Sequence, residues 1–489
     1  MKNTYLKKAD GNLPGLFEQM IVPAKEGSTL SQSDTIVLDL GSHRVGYFSF
    51  CMNYVSTYID VPVRLKIRFC EHIRELDDPY EDYHGTLCSS WLQEEIINLD
   101  FPIRYDLKRR YAARYIKITV LAAPKPLLLY GFEFRAVTSA DEAKIKPLSC
   151  SDPLLCEIDK VASITLRDCM QRVFEDGPKR DRRLWTGDLR LEALANYATY
   201  GKTDIVKRCL YLFAASDRNK YGFLSSFVYE DPVFASGDAN IIDYAMMFVV
   251  TLCDLYTHTG DRDTFIDLLP VAKEQLSCAC NMLDEYGIMQ APEDWWSAFI
   301  DWCPELVKVT SLHGIYLYTL DKFASCLDSI LPAEAEKYRA LLAKGRTAAA
   351  KHLFDEKSGK VKSSRICTDP AVHSAVWMIL GGVVTGNKGL ELLEQALNDK
   401  NAKKPGTPYM HHYVAESYIA LGRYDLAGEY IKKIWGGMLK LYKDAFSEVY
   451  MENDPDFSPY NDRMVNSMCH AWSCTPSYFI RNYLCTSQS

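Results

Sequence analysis

The chain has 489 residues, 64 acidic against 56 basic side chains and a formal net charge of −8, with 48% hydrophobic and 12% aromatic residues. That is length enough for two or three domains and a large core, while the acidic balance and the lack of a Lys/Arg run exclude a phosphate-tracking nucleic-acid binder. The longest apolar runs, Ala245–Cys253 and Ala375–Val384, are far shorter than the ~18 residues of a membrane span.

The N-terminus, MKNTYLKKADGNLPGLFEQM, has a basic start with no apolar stretch behind it, so it does not read as a secretory signal. Sixteen cysteines without such a signal predict a reducing, cytoplasmic setting and mostly buried thiols. No CxxC pair is present, which argues against a structural zinc site; no metal or organic cofactor is expected.

Up to about residue 145, short runs rich in Val, Ile, Tyr and Phe recur: TIVLDL, VGYFSF, VRLKIRF, YIKITV and YGFEFRAV. Several alternate apolar and polar residues with period two, as half-buried antiparallel strands do, and predict a β-sandwich over 1–145. From there to 489 the period becomes 3.6. Twelve helices are predicted, near 151–172, 188–200, 203–216, 239–258, 261–286, 304–329, 332–354, 369–384, 388–398, 408–421, 424–439 and 463–485.

Every second connection is very short, and Gly201, Gly260, Gly386 and Gly422 fall in four of them, where a left-handed cap allows a tight reversal. Most connections of the other parity are long: 173–187, 217–238, 287–303, 355–368 and 440–462. Helices that reverse at every turn put all the long loops on one face. Twelve of them fit an (α/α)6 barrel, with a simpler helical array as the alternative. Long loops in a compact domain are usually functional, so that face is the working one.

The first long loop, Glu175–Asp188, combines carboxylates, four cations, Gly, Pro and Trp185. An apolar platform beside hydrogen-bond acceptors suits a sugar ring; a surface ion-pair loop with Asp188 opening a helix is the competing reading. The third loop carries Trp295, Trp296 and Trp302, three of the eight tryptophans, and clustering in a loop favours a ligand surface. The last contains Asp444-Ala445-Phe446-Ser447-Glu448 and leads to His470 near the start of the final predicted helix. No GxSxG elbow, P-loop or dinucleotide fingerprint is present. His411 and His412 are adjacent and diverge on a helix, and His313 and His373 read as structural.

The segment DGPKRDRRLWTGDLRLEALANY resembles the signature of glycoside hydrolase family 78, the α-L-rhamnosidases. FIDW at 299–302, TPYMHHYVAES, GRYDLAGEYIKKIWGGML, DAFSE and SMCHAWSCTPSYF resemble the family in the same order. The resemblance runs from about Ser151 to the C-terminus and implies an (α/α)6 barrel with accessory β-domains, hydrolysing terminal α-L-rhamnosides with inversion. It implies Asp181 as general acid and Glu448 as general base. Asp176, Arg180, Trp185, Asp188 and His470 are implied to line the sugar pocket, with Asp243, Trp296 and Trp302 as further pocket residues.

Two features depart from the family pattern: many relatives carry Glu where this chain has Asp181, and an aromatic where it has Ser447. The stretch after the twelfth predicted helix is too short for the C-terminal β-domain of larger relatives. The expected partner is a small rhamnoside, with no nucleic acid and no membrane, and the β-domain is the expected surface for a homodimer. Another exo-glycosidase on the same barrel, or a rhamnose-binding relative that has lost hydrolysis, are the alternatives. Asp176 and Asp181 share one loop, so the residues alone leave the identity of the proton donor open.

Overall fold

The computed structural model describes residues 2–55, 60–293, 297–355 and 357–485. A first helix, α1 (Lys2–Gly11), lies outside the predicted elements. It packs on the helical domain through Tyr5, whose ring sits 6.3 Å from that of Tyr211.

Among the described residues eight antiparallel strands come next: β1 (Phe17–Ile21), β2 (Ser28–Leu30), β3 (Thr35–Tyr54), β4 (Val63–Cys70), β5 (Glu94–Leu99), β6 (Ile103–Asp106), β7 (Tyr111–Ala122) and β8 (Leu127–Thr138). Strand β3 joins the two layers of the sandwich. Its first half pairs with β7, which continues to β4 and β5, and its second half pairs with β8 and β6. The register shifts between Asp39 and Arg44, where β3 turns from one layer to the other. Phe48, Phe50, Phe69, Ile116, Ile118 and Phe134 fill the space between the layers. Along β7 and β8, Ile116, Ile118 and Phe134 alternate with half-buried neighbours, the period-two pattern of the sequence.

Among the described residues eleven helices then occupy the predicted places: α2 (Pro153–Cys169), α3 (Thr186–Ala198), α4 (Thr203–Ala215), α5 (Ile242–Thr259), α6 (Arg262–Cys280), α7 (Val309–Leu327), α8 (Pro332–His352), α9 (Val372–Leu380), α10 (Gly386–Asn398), α11 (Pro408–Ala420) and α12 (Tyr424–Leu441). Helices α3, α5, α7, α9 and α11 touch in succession and form the inner ring. Every residue of α3 and of α9 is buried, as helices packed on all sides must be. The even-numbered helices lie outside. At the short reversals, Gly260 ends α5 with φ 71° and Asp261 caps α6 by accepting the Thr264 N–H at 3.0 Å.

The sixth inner position differs from expectation. The predicted helix over 463–485 is a series of short turns, Arg463–Val465, Ala471–Cys474, Pro476–Phe479 and Ile480–Leu484. They pack against α11, α3 and α2 and close the ring. Burial on all sides gives this stretch a helix-like apolar content, but Pro476 supplies no N–H and opens a turn instead. His470 is therefore in extended backbone ahead of the Ala471 turn.

Closure also joins Cys150 to Cys485 in a disulfide between Cα atoms 4.9 Å apart, 335 residues away in sequence. The expectation of a reducing setting with mostly buried thiols did not foresee this pair, which only the closed ring brings together. Among the described residues no helix is long and apolar enough to cross a membrane.

Candidate active site

The loops entering the inner helices gather at one end of the ring around a cavity of about 410 Å³. Of the predicted site residues, Asp176, Arg180, Asp181, Trp185, Asp188, Trp302, Glu448 and His470 line it. Trp295 and Trp296 lie outside the described residues. Asp243 does not reach the cavity: its carboxylate accepts the Phe299 and Ile300 N–H groups at 3.0 Å each. It thereby holds Ile300 at φ 59°, a left-handed conformation that a β-branched residue adopts only under such constraint. Asp301 works similarly, accepting from His373, the Gly406 N–H and the Thr407 hydroxyl. These two acids orient the loop that presents Phe299 and Trp302.

Two glycines of the first loop are dictated by contact. A Cβ on Gly187 would lie 2.3 Å from the Tyr244 ring, and one on Gly177 would lie 2.3 Å from both the Arg180 carbonyl and the Ser467 hydroxyl. Between them, β9 (Leu184–Trp185) pairs with β10 (Phe227–Tyr229), which pairs with β11 (Ala235–Ser236). This pairing sets Trp185 against Phe227, ring centres 4.5 Å apart, and α3 then starts so that Asp188 is in its first turn.

The Arg180 guanidinium stands between the two carboxylates expected to act. One terminal nitrogen is 3.7 Å from Asp181, and the other bonds Glu448. Its Nε donates to the Val465 carbonyl at 2.9 Å, and the Tyr460 ring lies 4.5 Å beneath it. Glu448 also accepts from the Tyr460 hydroxyl and, at 3.3 Å, from the Ser467 N–H. Burial would raise Glu448, but Arg180, His470 and Tyr460 outweigh it and hold the carboxylate below its usual range.

Asp176 is the opposite case. Burial first, then the neighbouring charges of Asp181 and Asp188, push its carboxyl up to about 8, which favours its protonated form. Asp188 is likewise raised by burial. His470 is held above its ordinary value despite burial, by Asp188, Glu448 and Asp176. Its Nε2 is 3.3 Å from Asp188 Oδ1, yet neither these atoms nor His470 Nδ1 make an aligned hydrogen bond. Buried polar atoms left this way are set for a polar ligand.

Sequence reasoning missed several lining groups, Phe227 and Tyr244 among them. Tyr460 sat unnamed in the last long loop, 440–462, and Trp472, 5.9 Å from Phe299 and stacked on it, was given no role in the pocket. Thr86, Leu87 and Trp91 come from the N-terminal domain, and no signal in the sequence ties them to the barrel. That domain also grips the first loop from outside. Lys179 is buried between Glu75 and Glu71, Arg110 pairs with Glu175, and Glu71 accepts the Met468 N–H at 2.7 Å. Ser447 does not line the cavity; its hydroxyl donates to the Val449 carbonyl at 2.8 Å. His411 and His412 diverge, one to Tyr430 and one to Glu416.

An acidic cavity walled by aromatic rings, at the loop end of an (α/α)6 barrel, is the site of a glycoside hydrolase. A family model described as the bacterial alpha-L-rhamnosidase 6 hairpin glycosidase domain matches residues 143–484. Another, described as the glycosyl hydrolase family 78 alpha-rhamnosidase N-terminal domain, matches 19–140. The chain belongs to glycoside hydrolase family 78, the α-L-rhamnosidases.

Among solved structures it is similar to a rhamnosidase from Klebsiella oxytoca with rhamnose bound, at 36% identity and TM-score 0.93 over 98% of both chains. The family 78 rhamnosidase of Bacillus sp. GL1 shares the fold at 22% identity and TM-score 0.79, over 94% of this chain and 48% of that one. The Streptomyces avermitilis alpha-L-rhamnosidase complexed with L-rhamnose does so at 17% identity and TM-score 0.68, over 96% and 44%. No match was found among curated proteins.

Proposed function

We propose that this chain is an inverting exo-α-L-rhamnosidase that releases terminal rhamnose from small rhamnosides, with Asp181 as general acid and Glu448 as general base. The observation that carries the reading is the placement of Arg180. One guanidinium touches both carboxylates, so they lie apart on either side of it rather than in contact. Inversion needs such a gap, of the order of 6.5–9.5 Å, to admit a water beside the base. Glu448 is kept ionised, as a base must be. The Asp181 side chain is 14% exposed, on the open side of the deeper groups, where a leaving oxygen would sit.

In this reading the sugar occupies the floor, with His470 and Asp188 on its hydroxyls and Trp185, Phe299 and Trp472 against its apolar face and methyl group. Fourteen of the sixteen cysteines are unbonded, which supports action in the reducing cytoplasm on imported substrates. The test is hydrolysis of p-nitrophenyl α-L-rhamnopyranoside followed by proton NMR. β-L-rhamnose as first product is expected. First release of the α anomer would overturn inversion, and cleavage of another sugar instead would overturn the substrate.

The raised pKa of Asp176 favours a second reading in which it delivers the proton. The two readings separate by pH. If neutral Asp176 only donates a hydrogen bond to substrate, kcat/KM of the wild type falls as pH rises through about 8, where this carboxyl ionises. Asp176→Asn, permanently neutral, then keeps activity and loses that alkaline limb. An inactive Asp176→Asn beside an active Asp181→Asn would instead make Asp176 the acid.

A further inference from the structure

The cavity has a direction. On its floor Asp188, Glu448 and His470 are only 1–2% exposed; the Asp181 side chain is 14% exposed, and that of Arg183 at the mouth 25%. Leu87 and Trp91 of the N-terminal domain are half-buried beside this opening, with Pro459 also on the rim. A glycoside whose sugar rests on the floor must therefore pass its leaving group outward, past Asp181 and toward these residues. The volume of about 410 Å³ is in the range of pockets for drug-sized ligands, room for more than one ring.

The β-domain wall of the mouth is apolar in character because its polar groups are already used. The Thr86 N–H and hydroxyl both donate to the Tyr460 carbonyl, at 2.9 and 3.3 Å, and the Tyr460 hydroxyl donates to Glu448. The segment is also fixed in place. The His84 N–H donates to Asp462 at 3.2 Å, and the Tyr83 hydroxyl to the Leu87 carbonyl at 2.8 Å. A preformed indole and aliphatic face with few free donors suits a flat aromatic ring better than a hydroxylated one.

We propose that Trp91 and Leu87 of the N-terminal domain, with Pro459, seat the leaving group, and that this seat selects aryl α-L-rhamnosides. The proposal rests on the rhamnosidase reading above. With the sugar on the floor and the proton delivered at Asp181, a planar aglycone stacks on Trp91 before the bond breaks and leaves along the same face.

The test compares kcat/KM of wild type, Trp91→Ala and Trp91→Phe on p-nitrophenyl α-L-rhamnopyranoside, methyl α-L-rhamnopyranoside and a rhamnosyl-glucose disaccharide. In Trp91→Ala the aryl-over-methyl preference is expected to fall roughly tenfold, and in Trp91→Phe by much less. A preference that stays within twofold of wild type overturns the proposal, as does an equal fall on all three substrates. A loss on the disaccharide as large as on the aryl substrate overturns the aromatic selectivity, since the platform would then serve sugar rings equally. If wild type cleaves none of the three, the rhamnosidase reading itself fails, a result distinct from any change in preference.

Discussion

Asp181→Asn is expected to lose about a hundred- to ten-thousandfold in kcat on methyl α-L-rhamnopyranoside, the range that one positioned general acid contributes. On p-nitrophenyl α-L-rhamnopyranoside the loss is smaller, because nitrophenolate leaves without a proton. Inhibition by rhamnose stays near the wild-type value, since the floor groups Asp188 and His470 are untouched. Glu448→Gln behaves differently. Water must be activated for every substrate, so both are lost to a similar degree, and azide, which needs no base, restores part of the turnover. Arg180 and Tyr460 stay paired around the isosteric amide, so this variant should fold normally. An Asp181→Asn that is equally slow on both substrates would remove Asp181 from the proton-transfer role.

Lys179→Met is expected to cost about 3–5 kcal/mol of stability, the penalty for breaking a buried ion pair from one side. Lys179, Glu71 and Glu75 are all buried, and the cation is shared between the two acids across the domain boundary. Its removal leaves Glu75 without a charge partner and Glu71 with only His43, 3.3 Å away. Denaturant unfolding measures the loss directly. Lys179→Met combined with Glu75→Leu should recover much of it, since an apolar replacement of the whole pair carries no uncompensated charge. A single variant within about 1 kcal/mol of wild type would show that this contact does not hold the domains together. Because Arg180 comes directly after Lys179, the single variant should also turn over more slowly.

The sequence carried the barrel because the 3.6-residue period marks out a run of helices whose short and long connections alternate. It drew attention to Asp176, Asp181 and Asp188 through a loop dense in carboxylates, Arg, Gly and Trp, for which a surface ion-pair loop was the competing reading. Glu448, by contrast, was singled out only by the family resemblance. The terminal segment was misread because a stretch buried on all sides keeps its apolar composition whether or not it is helical. Asp243 occupies the same kind of place as Asp188, the first turn of an inner helix, but is engaged by the backbone of the neighbouring loop; only the fold distinguishes the two. Trp91 and Lys179 were invisible for a related reason. Lys179 pairs with Glu71 and Glu75 of the other domain, Trp91 lines a cavity whose remaining walls come mostly from the barrel, and neither has a local pattern.

The open-chain order of the groups around Glu448 bears on how the molecule matures. Arg180 approaches from near the start of the barrel, Tyr460, Ser467 and Trp472 from its far end, and Glu71, which fixes Met468, from the sandwich. Helices can form from neighbours within a few residues, whereas this carboxylate finds its partners only once contacts of nearly three hundred residues' separation have closed. Enzymatic competence therefore belongs to the closed ring as a whole: no segment of the chain taken alone holds the groups that surround this carboxylate.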